Sequence, residues 1–252
     1  MAVIRPGPWS GFVLLLAIWQ MATVILRLEP YMLPAPLDVL KGLYELAASG
    51  RLYESVVASL YRVTWGYYLA VLTAVPAGLA IGMSRRATSI FNPVIQFFRP
   101  ISPLVWIPLA LIWFGIGDAP AIFLIFLATF FPMLVFSIAA VSGINITLLR
   151  VAENFGMSGI EKLLRVIFPA ALPEIVTGLR ITLGTAWLVI VAAEMIAVKS
   201  GVGYLIVDAR NSMRMDYVIG GMIITGITGL LLDLIIRQLE KLPSVRWSRF
   251  RR

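Results

Sequence analysis

The chain of 252 residues has no cysteine and no histidine, and only 13% of its residues are charged. Without thiols there can be no disulfide and no cysteine nucleophile. Without imidazole there is no histidine general base, and the commonest zinc and haem ligands are missing. No Gly-Lys pair occurs, so the chain carries no Gly-x-x-x-x-Gly-Lys-Ser/Thr phosphate loop and does not bind ATP in that manner. No convergent set of nucleophile, base or metal ligands stands out, which argues against an enzyme. Acidic residues number 13 against 21 Lys and Arg, a net charge of +8. The basic residues flank apolar runs instead of clustering with aromatics, so they fit a membrane surface better than nucleic acid.

What is abundant is apolar surface. Hydrophobic residues make up 60% of the chain and the mean hydropathy is +0.92. Ionic groups this sparse cannot coat a water-soluble globule, so the chain reads as an integral membrane protein. A helix needs about 20 apolar residues to cross the hydrocarbon. Six runs approach that length: 6–26, 63–84, 100–117, the first part of 119–149, 181–198 (interrupted by Glu194) and 217–232. The turn at Gly117-Asp118-Ala-Pro120 separates the third from the fourth. With the N-terminus inside, twelve Lys and Arg fall on inner segments (Arg5, Arg85, Arg86, Arg150, Lys162, Arg165, Arg237, Lys241, Arg246, Arg249, Arg251, Arg252). Six fall outside (Arg27, Lys41, Arg51, Lys199, Arg210, Arg214), which predicts both termini in the cytoplasm. The first run is long for a signal-peptide core and lacks a small-x-small cleavage site after it, so it is expected to be a span.

Residues 35–54 read as an outer amphipathic helix with Leu37, Leu40, Leu43, Tyr44 and Ala47 on its apolar side. In the second run, Gly66, Ala70, Ala74, Gly78 and Gly82 recur every four residues. Such a row of small residues lets another backbone come close, and packing within one bundle is the expected use. No internal repeat is evident, and residues 1–252 are taken as one domain. An extra span and the outer helix occupy 1–55, the core spans 56–239, and a cytoplasmic loop 145–173.

That loop interrupts the apolar pattern. Residues 150–173, RVAENFGMSGIEKLLRVIFPAALP, carry five charges directly after the uncharged run 119–149. The segment 154–166 is predicted to form a short helix. It would present Phe155, Ile160, Leu163, Leu164 and Ile167 to an apolar partner and Glu161, Lys162 and Arg165 to water. Pro169 and Pro173 are expected to stop it and start the fifth span, and Gly156 allows a close approach or sharp turn.

Gly156, followed ten residues later by VIFP at 166–169 and then AALP at 170–173, resembles the EAA loop of permease subunits in ATP-binding-cassette importers. The EAA position itself reads Arg150-Val151-Ala152, so the leading glutamate of that pattern is absent. Further stretches are similar to the nitrate, sulfonate, taurine and bicarbonate branch: 58–66 (ASLYRVTWG), 98–108 (FRPISPLVWIP), 112–115 (IWFG), and 178–180 (GLR) through 192–196 (AAEMI). The resemblance covers roughly residues 33–239. It implies an all-α type I permease fold of about six transmembrane helices in a bacterial cytoplasmic (inner) membrane. It also implies a homodimer of permeases enclosing a path for a small, anionic solute such as nitrate, bicarbonate, taurine or another sulfonate. Two cytosolic ATPases would bind ATP and Mg, leaving this chain without a cofactor, and an outer solute-binding protein would deliver the substrate. Ala152, Glu153, Phe155, Gly156, Met157, Ser158 and Pro169 would dock the ATPase.

Ionisable side chains within spans are costly and therefore candidates for function. Arg62 and Glu194 fall toward outer ends, Arg99, Arg180 and Asp233 toward inner ends. Arg62 and Glu194 read first as an ion pair joining the second and fifth spans, or as side chains snorkelling to the interface, with a place beside the path as the alternative. Asp233 and Arg237, four apart on one helix, read as a local pair. Arg62, Tyr67, Arg99, Arg180, Trp187 and Glu194 are the candidate path residues, with Thr64, Tyr68, Thr182 and Thr185 as further possible lining. The rival reading is a self-contained, gradient-driven transporter using Glu194 and Asp233; it needs no ATPase.

Overall fold

The computed structural model describes residues 10–26, 29 and 31–240. Arg5, Arg27, Lys241, Arg246, Arg249, Arg251 and Arg252, counted in the charge balance, lie outside the described residues, as do residues 6–9 of the first run. The described residues form helices and connecting turns, with no strand among them.

The core is a trio of long helices, α3 (Arg51–Gly82), α6 (Asp118–Ser142) and α9 (Phe168–Ala197). The small residues of α3 explain how closely it meets α6. A side-chain carbon at Gly66 would lie 2.7 Å from the Ile122 carbonyl oxygen, and one at Gly78 would collide with Ser137 Cβ. The row is thus used up inside one chain, as the sequence pattern suggested. Val63, Leu124, Ile125, Trp187 and Ile190 fill one end of the trio. Ala74, Met133, Leu134, Ile167 and Ile175 fill the other.

Around this trio lie α1 (Ser10–Ile25), α2 (Pro36–Ala48), α4 (Arg85–Phe98), α5 (Ile107–Phe114), α7 (Ile146–Asn154), α8 (Gly159–Lys162), α10 (Val202–Asn211) and α11 (Met215–Leu239). α1 buries none of its residues against the rest of the chain, as suits a helix facing lipid. α10 rests on α11 through Val202, Ile206, Ala209 and Val218.

Four expectations need correction. The outer helix predicted over 35–54 is two helices, because Gly50 adopts φ 76° and α3 starts at Arg51. Its buried side is Val39, Gly42 and Leu46, while Leu37, Leu40 and Tyr44 are more than 60% exposed. In lipid the oily face can point outward, and α2 uses its small Gly42 to approach Asp216 and Tyr217 of α11.

The third run, 100–117, is not a continuous helix. A turn of 3-10 helix at Pro103–Trp106 leads into the eight residues of α5. Together with α4 the segment forms a pair bent by 78°. Pro100 and Pro103 supply no amide hydrogens at the bend, which starves a continuous helix of donors there. Among the described residues four helices are long and apolar enough to cross a membrane, five if the bent pair counts as one span, and the 16-residue α1 is a shorter apolar helix.

The loop 154–166 is also not one helix. α7 ends at Asn154, Gly156 turns the chain with φ 69°, and α8 begins after Ser158, whose hydroxyl accepts from the Glu161 amide at 3.4 Å.

Finally, Pro169 and Pro173 do not stop the helix. α8 runs through a π-helical turn, Leu163–Ile167, straight into α9. In that turn the Phe168 amide donates five residues back, to the Leu163 carbonyl. Hydrogen bonding is thereby shifted just before Pro169, where an amide is missing. The result is one helical rod of 39 residues, 159–197. Gly178, near its middle, packs on α6: a Cβ there would sit 2.8 Å from Phe136 Cβ.

Candidate functional site

The two ends of the bundle carry different chemistry. At the end where α3 and α6 begin and α9 finishes, Arg62 and Glu194 form the ion pair expected from the sequence, with Nη1 and Oε1 2.6 Å apart. Arg62 is 2% exposed and Glu194 not at all. Two buried charges survive only if their remaining donors and acceptors are met, and here they are. Arg62 Nε donates to Asp118 Oδ1 at 2.7 Å. Its Nη1 also donates to the Ser200 carbonyl at 2.9 Å, and its Nη2 to the Ser200 hydroxyl. Glu194 accepts from the Ser59 hydroxyl at 2.8 Å and from the Gly203 amide at 3.0 Å. Ser59 Oγ in turn accepts from the Val202 amide at 2.9 Å.

This cluster folds the 198–203 turn around the carboxylate. Gly201 has φ 101°, and a side chain there would occupy the space of the Glu194 carboxyl group. Ser59, Asp118, Ser200, Gly201 and Gly203 were missed in the sequence reading because they come from three separate segments. A usable signal was Gly201-Val-Gly203 seven residues after a glutamate inside a span.

At the opposite end, Arg180 of α9 grips Asp233 of α11 through Nε at 2.6 Å and Nη2 at 3.1 Å, and donates to Glu240 at 3.1 Å. Asp233 also meets Arg237 at 3.2 Å, as the four-residue spacing predicted. The local pair is therefore real but secondary to the link between helices. Trp187 donates its indole N–H to the Thr225 carbonyl at 2.9 Å and fills the space beside Gly229. Tyr67 donates to the Leu179 carbonyl at 2.6 Å. Five of the six candidate path residues are thus tied into helix packing. Arg99 is the exception: its amide caps α4 by donating to the Ile95 carbonyl at 2.9 Å, but its exposed side chain makes no hydrogen bond or ion pair with any described residue.

The charged loop lies at this second end. Ala152 is buried, Met157 half-buried, and the Met157 amide donates to the Ala152 carbonyl at 3.2 Å. Glu153 pairs with Lys162, and that contact holds the Glu153 carboxyl below the usual carboxylate range. Lys162 is therefore mostly covered instead of reaching water. Of the apolar residues assigned to a partner, Phe155, Ile160 and Leu164 are 78%, 73% and 62% exposed. Leu163 and Ile167 instead pack into the bundle's own core. Pro169 is exposed in the first turn of α9.

Residues 70–244 match the family described as "Binding-protein-dependent transport system inner membrane component". The chain is 39% identical to the taurine transport system permease protein TauC of Escherichia coli over 232 residues, 90% of this chain and 84% of that one. It is 34% identical to the nitrate import permease protein NrtB of Synechocystis over 249 residues, 95% of this chain and 89% of that one. Among solved structures, a chain of the inward-facing MetNI methionine ABC transporter superposes with a TM-score of 0.61 at 16% identity, covering 76% of this chain and 97% of that one.

Proposed function

We propose a role for each end of the bundle, from the premise that this chain belongs to the binding-protein-dependent transport system inner membrane component family. As such it is a membrane-spanning translocation subunit of an ATP-binding-cassette importer. The gradient-driven alternative is not favoured: its two carboxylates, Glu194 and Asp233, are committed to Arg62 and Arg180.

In our reading residues 1–252 act as one domain in a bacterial cytoplasmic membrane, and two copies enclose the path. The solute is a small anion such as taurine, another sulfonate, nitrate or bicarbonate, handed over by a binding protein. ATP and Mg belong to a separate cytosolic ATPase, which docks on Ala152, Glu153, Phe155, Gly156, Met157, Ser158 and Pro169. ATP binding favours one arrangement of the helices and hydrolysis releases it, so access alternates between the two sides. The observation that carries the docking assignment is the exposed apolar trio Phe155, Ile160 and Leu164 on a loop that also carries Arg150, Glu153, Glu161, Lys162 and Arg165. Contiguous apolar groups at a polar membrane face mark a protein contact.

Gly156→Arg tests it. The left-handed turn disfavours any side chain, and a long cation there obstructs the contact. Membrane insertion is expected to persist, while copurification of the ATPase and its substrate-stimulated hydrolysis fall at least about tenfold, the size of a lost interface anchor. Unchanged values of both would remove the docking role.

A further inference from the structure

Arg99 stands at the bend between α4 and α5 and lines a cavity of about 120 Å³ with Phe98, Trp106, Ala128, Phe131 and Thr185. Ala128 and Phe131 lie midway along α6 (Asp118–Ser142), and Thr185 lies near the middle of α9 (Phe168–Ala197). The cavity that Arg99 helps to line therefore lies near mid-length of two membrane-spanning helices. A charge at that depth is expensive unless it faces protein partners or water. Arg62 and Arg180 have carboxylate partners, whereas Arg99 has none among the described residues, and no acidic residue lines its cavity. The backbone around it is broken as well, by Pro100 and Pro103. Non-helical backbone at membrane depth is tolerated where it lines a water-filled space. The walls add flat aromatic surface, Phe98 stacking on Phe131 with centroids 5.4 Å apart.

We propose that Arg99 and this cavity form an anion-binding site on the path, taking a small oxyanion: a sulfonate, carboxylate or nitrate. The proposal rests on the reading of the chain as a translocation subunit. A guanidinium presents paired donors that match two oxygens of such a group. The cavity offers several times the roughly 10–15 Å³ that a single enclosed water needs, room for a small solute. A cation would meet an unshielded positive charge, and an apolar solute would leave the guanidinium without a partner. The oxyanion supplies what the chain does not.

The absence of cysteine makes a direct test possible. Thr185→Cys places one thiol in the cavity wall of the full complex, reconstituted in nanodiscs with its ATPase. Its modification rates are measured with anionic 2-sulfonatoethyl methanethiosulfonate and cationic 2-(trimethylammonium)ethyl methanethiosulfonate. With Arg99 present the anionic reagent is favoured; adding Arg99→Gln lowers the anionic-to-cationic ratio by about tenfold, the lower range of charge focusing in a cleft. Arg99→Lys keeps most of the ratio, which shows that charge and not altered packing sets it. A ratio unmoved by Arg99→Gln, an Arg99→Lys protein as impaired as Arg99→Gln, or a thiol that neither reagent reaches in any nucleotide state would each overturn the site. The readout needs no transport, so an Arg99-dependent ratio alongside ATPase recruitment that Gly156→Arg leaves unchanged would spare this site and defeat the docking assignment under Proposed function.

Discussion

Arginine meets carboxylate at both ends of the bundle, with different surroundings. Around Arg62 and Glu194 the charges are closed off from solvent and every polar arm is engaged, two of them by backbone amides or carbonyls of the 198–203 turn. Arg180 and its partners Asp233 and Glu240 remain partly exposed, with side chains 29%, 35% and 20% accessible. The helix that carries Arg180 leads back into a loop with bare apolar groups. The contrast separates two uses of one interaction: a buried pair whose partners fix a turn, and a half-open pair that leaves its neighbourhood free to contact something else. Burial, more than the identity of the residues, decides which use applies.

The sharpest way to break the comparison is to unpair the closed end. Glu194→Ala or Arg62→Ala strands a buried charge and is expected to cost about 3–5 kcal/mol, read as a lowered midpoint of thermal unfolding in the purified complex. The double change Arg62→Leu with Glu194→Leu should recover a large part, as apolar replacement of buried pairs often does. A double variant no more stable than the singles would show that the pair is not the unit holding this end.

The same operation at the open end should be milder. Arg180→Ala leaves Asp233 with Arg237 and with access to water, so a loss of about 1 kcal/mol is expected, within the range of partly exposed pairs. A loss as large as that at Glu194 would erase the distinction between the ends.

Acidification offers the smallest effect. The Glu153 carboxyl is held low by its hydrogen bond and charge contact with Lys162. A depressed carboxylate contributes stability that is fully present above the unfolded value and disappears as pH falls through the folded one. Local protection of the 146–162 amides from exchange should hold from neutral pH down to the ordinary carboxylate range, near 4.5, and decline below it. Glu153→Gln should show no such decline.

Much of this arrangement was legible in the residues. Uncharged length marked α6, α9 and α11, and the four-residue spacing of glycine and alanine on α3 predicted a close backbone contact within the bundle, whose partner, α6, only the structure supplies. The pairing of Arg62 with Glu194 followed from the cost of lone charges in lipid. What escaped has physical reasons. In α2 a membrane removes the rule that oily faces turn inward, so Val39, Gly42 and Leu46 could not be told from Leu37, Leu40 and Tyr44. Pro169 reads as a helix stop only if hydrogen bonds keep their four-residue step, and the π turn abandons it. Asp233 had a visible neighbour at Arg237, but its stronger partner, Arg180, lies 53 residues away. The groups that dress Glu194 are scattered likewise, and spacing along a chain carries no signal for a contact made through folding.

The uninterrupted helix from Gly159 to Ala197 has a mechanical consequence. At about 1.5 Å per residue it is roughly 58 Å long, with the loop attached at one tip and Glu194 three residues from the other. Its tight contact with α6 falls at Gly178, halfway along. The rod is packed on both sides of that point, through Ile167, Ala171 and Ile175 toward the loop and Ala186, Trp187 and Ile190 toward Glu194, so a push at the loop tip is passed to the core along the whole length of the helix and not at one spot.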